Sequence, residues 1–285
     1  MNKRNFFILS LVLICCSDNQ DSQGGGKNPD GYDLARPQKF MMPESLVEIS
    51  GICFRNGNSD TIYAEQDEEG KLYYLHLGDS KASHVKFGKK GDYEDVTIIN
   101  DLVVMLRSDG TLFSFPFSAT RQPEATGVRE WSGLLPSDEF EGLYGDPATN
   151  KLYVLCKHCG DEKASRAVTA YVLQVEADGS ITQSGSHEIN VKTIDELSGK
   201  KKIKFNPSAL GRNPRTKQWY VVSSVNKLLV IADSSWAVKE VYNLDPSLFR
   251  QPEGIAFDRE NNLYISNEGD KISKGNVLKF NYQKK

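Results

Sequence analysis

Residues Gln251–Asp270 read "QPEGIAFDRENNLYISNEGD". An apolar run opens on the acid-glycine pair Glu253-Gly254, breaks at an Asn-rich turn, and resumes in "LYIS" before Glu268. Apolar runs of this length with Tyr and Ile, bounded by Asp, Asn and Gly, are strand and turn chemistry. As a lone hairpin the stretch decides little. As one copy of a repeat it decides the architecture.

It is a repeat. Ser50-Gly51-Ile52 precedes "DTIYAEQDEEGKLYYLHL", and Glu94-Asp95-Val96 precedes "DLVVMLRSDGTLFSFPF". Glu141-Gly142-Leu143 precedes "NKLYVLCKHCG", and Ser208-Ala209-Leu210 precedes "KQWYVVSSVNKLLVIAD". The heads fall at 50, 94, 141, 208 and 253, a spacing of about 45 residues apart from one interval of about 67. Three to four short strands per period of this length, with almost no helical pattern, predict an all-β propeller. The long interval carries two charged stretches, "GDEKASRA" and "KTIDELSGKKKIK", read as loop insertions, which makes five blades; a sixth blade hidden there is the alternative. The last blade stops after "VLKFNY" without an outer strand. An outer strand from Tyr32 to Phe40 would complete it and remove an open edge, closing the ring through its termini. Tyr63, Tyr153, Tyr220 and Tyr264 recur in the second run of their blades and are expected to pack between blades, with Trp219 in the core.

Composition agrees with a folded domain: 285 residues, 39% hydrophobic and 26% charged. A net charge of −3 gives no nucleic-acid footprint, and Lys200-Lys201-Lys202 reads as a solvated loop. A monomer is expected. The first residues stand apart. Met1 to Asn5 are basic, Phe6 to Ile14 are continuously apolar but too short to span a bilayer, and Cys15-Cys16 follow. The pattern resembles a bacterial lipoprotein signal over residues 1–15, with Cys16 as the lipidated residue and Cys15, in the unusual preceding place, as the alternative; a plain secretory signal or an uncleaved anchor is the competing reading. Residues 16–31 are polar and Gly-rich, a tether whose acidic start resembles the export signals of Bacteroidetes surface lipoproteins. Residues 32–285 are the propeller. The implied location is the bacterial cell envelope, periplasmic or at the cell surface, with the lipid anchor as the membrane contact.

The heads "SGI", "EDV", "EGL", "PSAL" and "QPEGI" resemble those of the SdiA-regulated (YjiK-like) family of secreted β-propellers, over nearly all of residues 35–283. The resemblance implies an extracytoplasmic propeller, with bound calcium in some members and no assigned activity. The heads are more distantly similar to those of NHL-type and gluconolactonase-type propellers, but no lactonase catalytic residue can be carried over.

In a propeller the first strand of each blade lines the channel, and the antiparallel second strand ends beside the first strand's start. Ser50, Glu94, Glu141, Ser208 and Glu253 should therefore ring one mouth, with Glu65, Arg107, Lys157, Ser224 and Glu268 just outside. Three carboxylates in a narrow ring need a cation, a basic partner or raised pKa values. Oxygen ligands favour Ca²⁺ or Mg²⁺, which makes Glu94, Glu141 and Glu253 candidate metal ligands. The alternative is neutralisation by Arg107 and Lys157. The expected function is binding, of a small ligand or a protein partner, at this acidic face. A metal-dependent hydrolase of lactonase or phosphoesterase type is the competing class, without a recognisable general base. Cys156-Lys157-His158-Cys159 is a CxxC that, outside the cytoplasm, points to a disulfide within the pair or to Cys53 rather than to zinc.

Overall fold

A computed structural model describes residues 28–159 and 166–284. Cys16, the signal segment and most of the tether lie outside the described residues. Twenty described strands form five antiparallel four-stranded sheets. Blade 1 is β2 (Ile49–Cys53), β3 (Ile62–Gln66), β4 (Lys71–Leu75) and β5 (Ser83–Lys86). Blade 2 is β6 (Tyr93–Ile99), β7 (Leu102–Arg107), β8 (Leu112–Pro116) and β9 (Arg129–Trp131). Blade 3 is β10 (Glu139–Asp146), β11 (Lys151–His158), β12 (Ala167–Val175) and β13 (Ile181–Asn190). Blade 4 is β14 (Ala209–Arg212), β15 (Trp219–Ser223), β16 (Leu228–Ala232) and β17 (Val238–Asn243). Blade 5 is β18 (Pro252–Phe257), β19 (Leu263–Asn267) and β20 (Asn276–Phe280), completed by the N-terminal β1 (Gln38–Met41).

The innermost strands touch in cyclic order, β2 on β6, β6 on β10, β10 on β14, β14 on β18 and β18 back on β2. Five blades close the ring, as the repeat predicts. The closing strand lies at the end of the predicted range, pairing Gln38 with Lys279 and Met41 with Asn276. Residues ahead of it are also docked. Gly31 O accepts from Gln283 N at 2.8 Å, and the buried Tyr32 hydroxyl donates to Asn261 O at 2.7 Å. Residues 28–31, at the end of the tether range, thus carry part of this seam.

Each seam between blades holds its own apolar cluster. The alternation of strand side chains explains how one strand serves two seams. In β15, Trp219 and Val221 pack toward blade 3 while Tyr220 and Val222 pack toward blade 5. Tyr153, Tyr220 and Tyr264 are buried in such seams and Tyr63 packs at another, as their recurrence suggests.

The second charged stretch of the long interval is not all loop. Helix α1 (Val191–Ser198) forms there, with Asn190 Oδ1 accepting from Lys192 N and Thr193 N at its start and Gly199 at φ 68° ending it. Val191 and Ile194 anchor it in the seam between blades 3 and 4. Two buried apolar residues in eight were too few to show a helical period. Among the described residues no helix is long and apolar enough to cross a membrane.

Candidate functional site

The head residues sit on breaks in strand register. Pairing jumps from Tyr93 to Asp95, from Phe140 to Gly142 and from Pro252 to Gly254, leaving Glu94, Glu141 and Glu253 without a cross-strand partner. In blade 1 the jump from Ile49 to Ile52 does the same for Ser50 and Gly51. A bulge adds one residue, bends the strand and re-aims its side chain. The neighbouring glycine makes the close approach of blades possible: a Cβ on Gly254 would lie 2.3 Å from Ser266 Oγ and 2.4 Å from Ser50 O.

The heads meet at one mouth of the axis, around a cavity of about 170 Å³. Ser50, Glu94, Glu141, Ser208 and Glu253 line it, joined by Lys157, Ser224 and Glu268 from the second strands. Ser50 Oγ donates to Glu94 O at 3.1 Å, tying blade 1 to blade 2. Two predicted rim residues lie elsewhere. Glu65 is fully buried, its Oε1 accepting from Gly51 N at 2.6 Å. Arg107 does not reach the ring. The register jump sets it opposite Tyr93, and the following turn captures its guanidinium through Asp109 at 2.8 Å and Thr111 Oγ1 at 3.1 Å, over the Phe113 ring. Of the two expected counter-charges, Lys157 alone is at the mouth, bonded to Glu141 and, at 3.1 Å, to Glu139.

Glu48, Asp67, Asp92 and Asn206 also line the cavity. The heads alone did not point to them, yet a signal exists: two residues before each head stand Glu48, Asp92, Glu139, Asn206 and Gln251. Every one is an acid or a carboxamide. Gln251 Nε2 donates to Glu268 at 2.8 Å, and Glu139 takes His158 Nδ1 at 2.5 Å.

Seven carboxylates around one lysine leave a charge excess, and the pKa values respond. Burial, then Glu141 and Glu65, push Glu94 up to about 10. Burial, then Glu141, push Glu253 up to about 7 against the hydrogen bonds of Ser208 and Ser224. Glu268 is pushed up to about 7 by burial and Glu253, and Asp67 up to about 6 by burial and Glu48. Glu141 is raised too, although it holds Lys157, because burial outweighs one ammonium. Burial pulls Lys157 down, but Glu141 and Glu139 more than reverse this and hold it above the ordinary lysine range.

Of the two pairings open in the sequence, the disulfide joins Cys156 to Cys159, leaving Cys53 a free, partly buried thiol whose pKa desolvation raises. The opposite mouth holds a larger cavity of about 320 Å³ with an apolar floor including Ile52, Val96, Leu143 and Ile255. Its Arg212 is paired with Asp146 at 2.9 Å. That lining sets Asp146 and Asp258 against Arg212, Lys217 and Arg259, so the excess of carboxylates belongs to the first mouth.

Among solved structures, the chain is similar to glutaminyl cyclase of Myxococcus xanthus at 15% identity and TM-score 0.58, over 87% of this chain and 96% of that one. A luciferin-regenerating enzyme matches at 10% identity and TM-score 0.54, over 86% and 95%. Regucalcin from Agrobacterium tumefaciens, described as a calcium-binding protein, matches at 13% identity and TM-score 0.51, over 89% and 95%. At such identities the likeness is one of fold. No curated protein sequence matches. Residues 31–271, which hold all five heads and the whole of the acidic mouth, match the SdiA-regulated family, and the chain belongs to that family.

Proposed function

We propose that this protein is a lipid-anchored, cell-envelope propeller that binds a divalent cation, calcium foremost, at its acidic mouth and presents that face to a ligand or partner. One observation carries the reading: buried acceptor oxygens at this mouth have no hydrogen-bond partner. Asp67 and Asn206 line the cavity, and the Oδ1 of each is such an oxygen. An acceptor withdrawn from water without a donor costs about 1–3 kcal/mol, more when charged, and a cation satisfies it where an ionised carboxylate cannot. The donors fit a hard ion, since Glu94, Glu141, Glu253 and their neighbours offer oxygen. A bound cation would supply positive charge and Lewis acidity. The chain's part is to hold it, exclude competing ligands with Lys157, and keep Glu253 poised beside it. The calcium-binding neighbour is a precedent for the fold carrying such an ion.

Thermal unfolding tests this reading. With calcium at a hundredfold excess over its dissociation constant the protein should gain about 2.7 kcal/mol, and EDTA should remove the gain. No shift at millimolar calcium rejects the cation. Hydrolysis is the second reading, favoured by Glu253, whose pKa of about 7, like that of Glu268, suits a general base. Turnover of a lactone or phosphoester panel that disappears in Glu253→Gln would support it.

The anchor rests on the lipoprotein-like signal. Cys16→Ala should abolish palmitate labelling and release the protein from membranes, while Cys15→Ala should leave it lipidated. Labelling that survives the first change and is lost in the second reverses the assignment.

A further inference from the structure

The mouth opposite the acidic one has the reverse character. Its floor is apolar, with Ile52, Val96, Leu143 and Ile255 coming from the inner strands of four blades. A second pocket of about 310 Å³ adjoins this cavity, and the two share Asn56 and Arg259 in their walls. Arg55, Asn58, Thr61 and Tyr63 complete the second pocket, and none of its six lining residues is acidic. Chain geometry brings the two arginines to it. Arg55, Asn56 and Gly57 form the turn after β2, with Asn56 at φ 52° and Gly57 at φ 67°. Arg259, in the turn between β18 and β19, donates its backbone N–H to Gly57 O at 2.9 Å and so ties blade 5 to blade 1. A Cβ on Gly57 would lie 3.0 Å from that nitrogen, so a glycine permits the approach.

The carboxylates at this mouth are committed elsewhere. Asp146 holds Arg212 and also accepts from Ala148 N and Thr149 Oγ1. Asp258 accepts from Asn262 N, Asn262 Nδ2 and the Tyr264 hydroxyl at 2.8 to 2.9 Å. The remaining cations are loosely held. Lys217 gives its ammonium to a carbonyl, Pro214 O, at 2.7 Å. Arg259 meets its sequence neighbour Glu260 at 3.4 Å, with both side chains more than half exposed. Arg55 lies over the Phe117 ring and donates to Asp101 at 2.6 Å, but Asp101 is exposed, and Arg55 Nε is buried without an acceptor. Exposed pairs of this kind contribute about 0–1 kcal/mol and give way to a better placed anion. A buried donor without an acceptor calls for one.

We infer that this mouth is a second binding site, for a small organic anion. Its apolar body rests on the floor of Ile52, Val96, Leu143 and Ile255, and its carboxylate or phosphate is held by Arg55 and Arg259. A guanidinium grips either head group through paired N–H donors. Lys217, on the wall of the larger cavity, adds to the attraction. Cavities of about 300–1,000 Å³, mostly apolar with a few converging polar groups, are the usual form of small-molecule sites. The site is independent of the cation reading, and the two ends of the channel select ligands of opposite charge.

Equilibrium dialysis of the full chain in EDTA tests the site without a metal. Four probes share one apolar body: naphthoate, naphthyl phosphate, naphthalenemethanol and naphthylmethylammonium. At least one of the two anions should bind about tenfold or more tighter than the alcohol, and the ammonium weakest of all. The tighter anion identifies the head group. Arg259→Gln changes an exposed side chain, and it should cost the anion about tenfold while leaving the alcohol nearly unchanged. Ala148 is exposed on the cavity wall, so Ala148→Trp adds bulk there without entering the core and should abolish binding of every probe. An alcohol that binds as tightly as both anions, or anion affinity unchanged in Arg259→Gln, overturns the anion site. Anion binding that survives Ala148→Trp places the ligand elsewhere and overturns it too, as does the absence of binding by any probe.

Discussion

A chain that begins at Met42 should melt far below one that begins at Asn28. The shorter form loses β1, and with it the pairing along Gln38–Met41 that covers β20. It also loses Tyr32 and Leu34, both buried in the seam between blades 4 and 5. Each such side chain contributes about 1.5–3 kcal/mol of burial, so the loss should be on the order of 5 kcal/mol. Against a typical total of about 5–15 kcal/mol this is a large share. The Tyr32 hydroxyl adds to it, because Asn261 and Asn213 both donate to it at 2.7 and 3.1 Å. The bared β20, Asn276–Phe280, would present an unpaired edge and should promote association. The chain from Asn28 keeps every one of these contacts and should melt as the full chain does. Differential scanning calorimetry of the two forms is the measurement, and equal melting temperatures would show that the ring does not depend on its N-terminal strand.

Metal-free protein should lose stability as pH rises from 5 to 8. Glu253 sits near 4.5 when unfolded and at about 7 when folded. Below pH 4.5 both states hold the proton and there is no penalty. Between 4.5 and 7 the unfolded chain releases it first, so stability falls, and above 7 the deficit is constant. For Glu253 it amounts to about 3 kcal/mol. Glu268 and Asp67 act in the same direction over the same range, and Glu94, at about 10, extends it upward. Carboxylates with lowered values, such as Glu69 and Asp109 at about 2, act below pH 5 and leave this window alone. His187 opposes the trend near pH 6, since burial and Lys151 hold its pKa down. Denaturant titrations in EDTA at pH 5 and 8, for wild type and Glu253→Gln, isolate the effect. The variant should lose part of the slope; identical slopes would mean that Glu253 is not strained at this mouth. Calcium should restore most at the alkaline end, where the acids most need a counter-charge.

Much of the site was legible because its register is local. The head and the end of the second strand are set by short apolar runs and turns, which brought Glu94, Glu141, Glu253, Lys157 and Glu268 to one mouth from sequence. The acids and amides two residues before each head were equally visible, but nothing in a strand pattern says that they turn inward. Arg107 shows the limit. Its place at a strand end is a matter of sequence, while its turn away from the ring depends on a bulge that offsets β6 against β7 and on the Asp109 turn that captures it.

The sequence by itself determined the blade count, the closing of the ring by its termini and the sign of charge at one mouth. Each follows from patterns within one repeat, where alternation and turn chemistry act over a few residues. Tertiary structure alone decided which carboxylates are satisfied. Asp95 finds its second donor on Leu143, in the next blade, and Glu65 finds none beyond Gly51. The free energy of a buried charge depends on donors and charges brought close from distant parts of the chain, and these distances exist once the blades have closed around the axis.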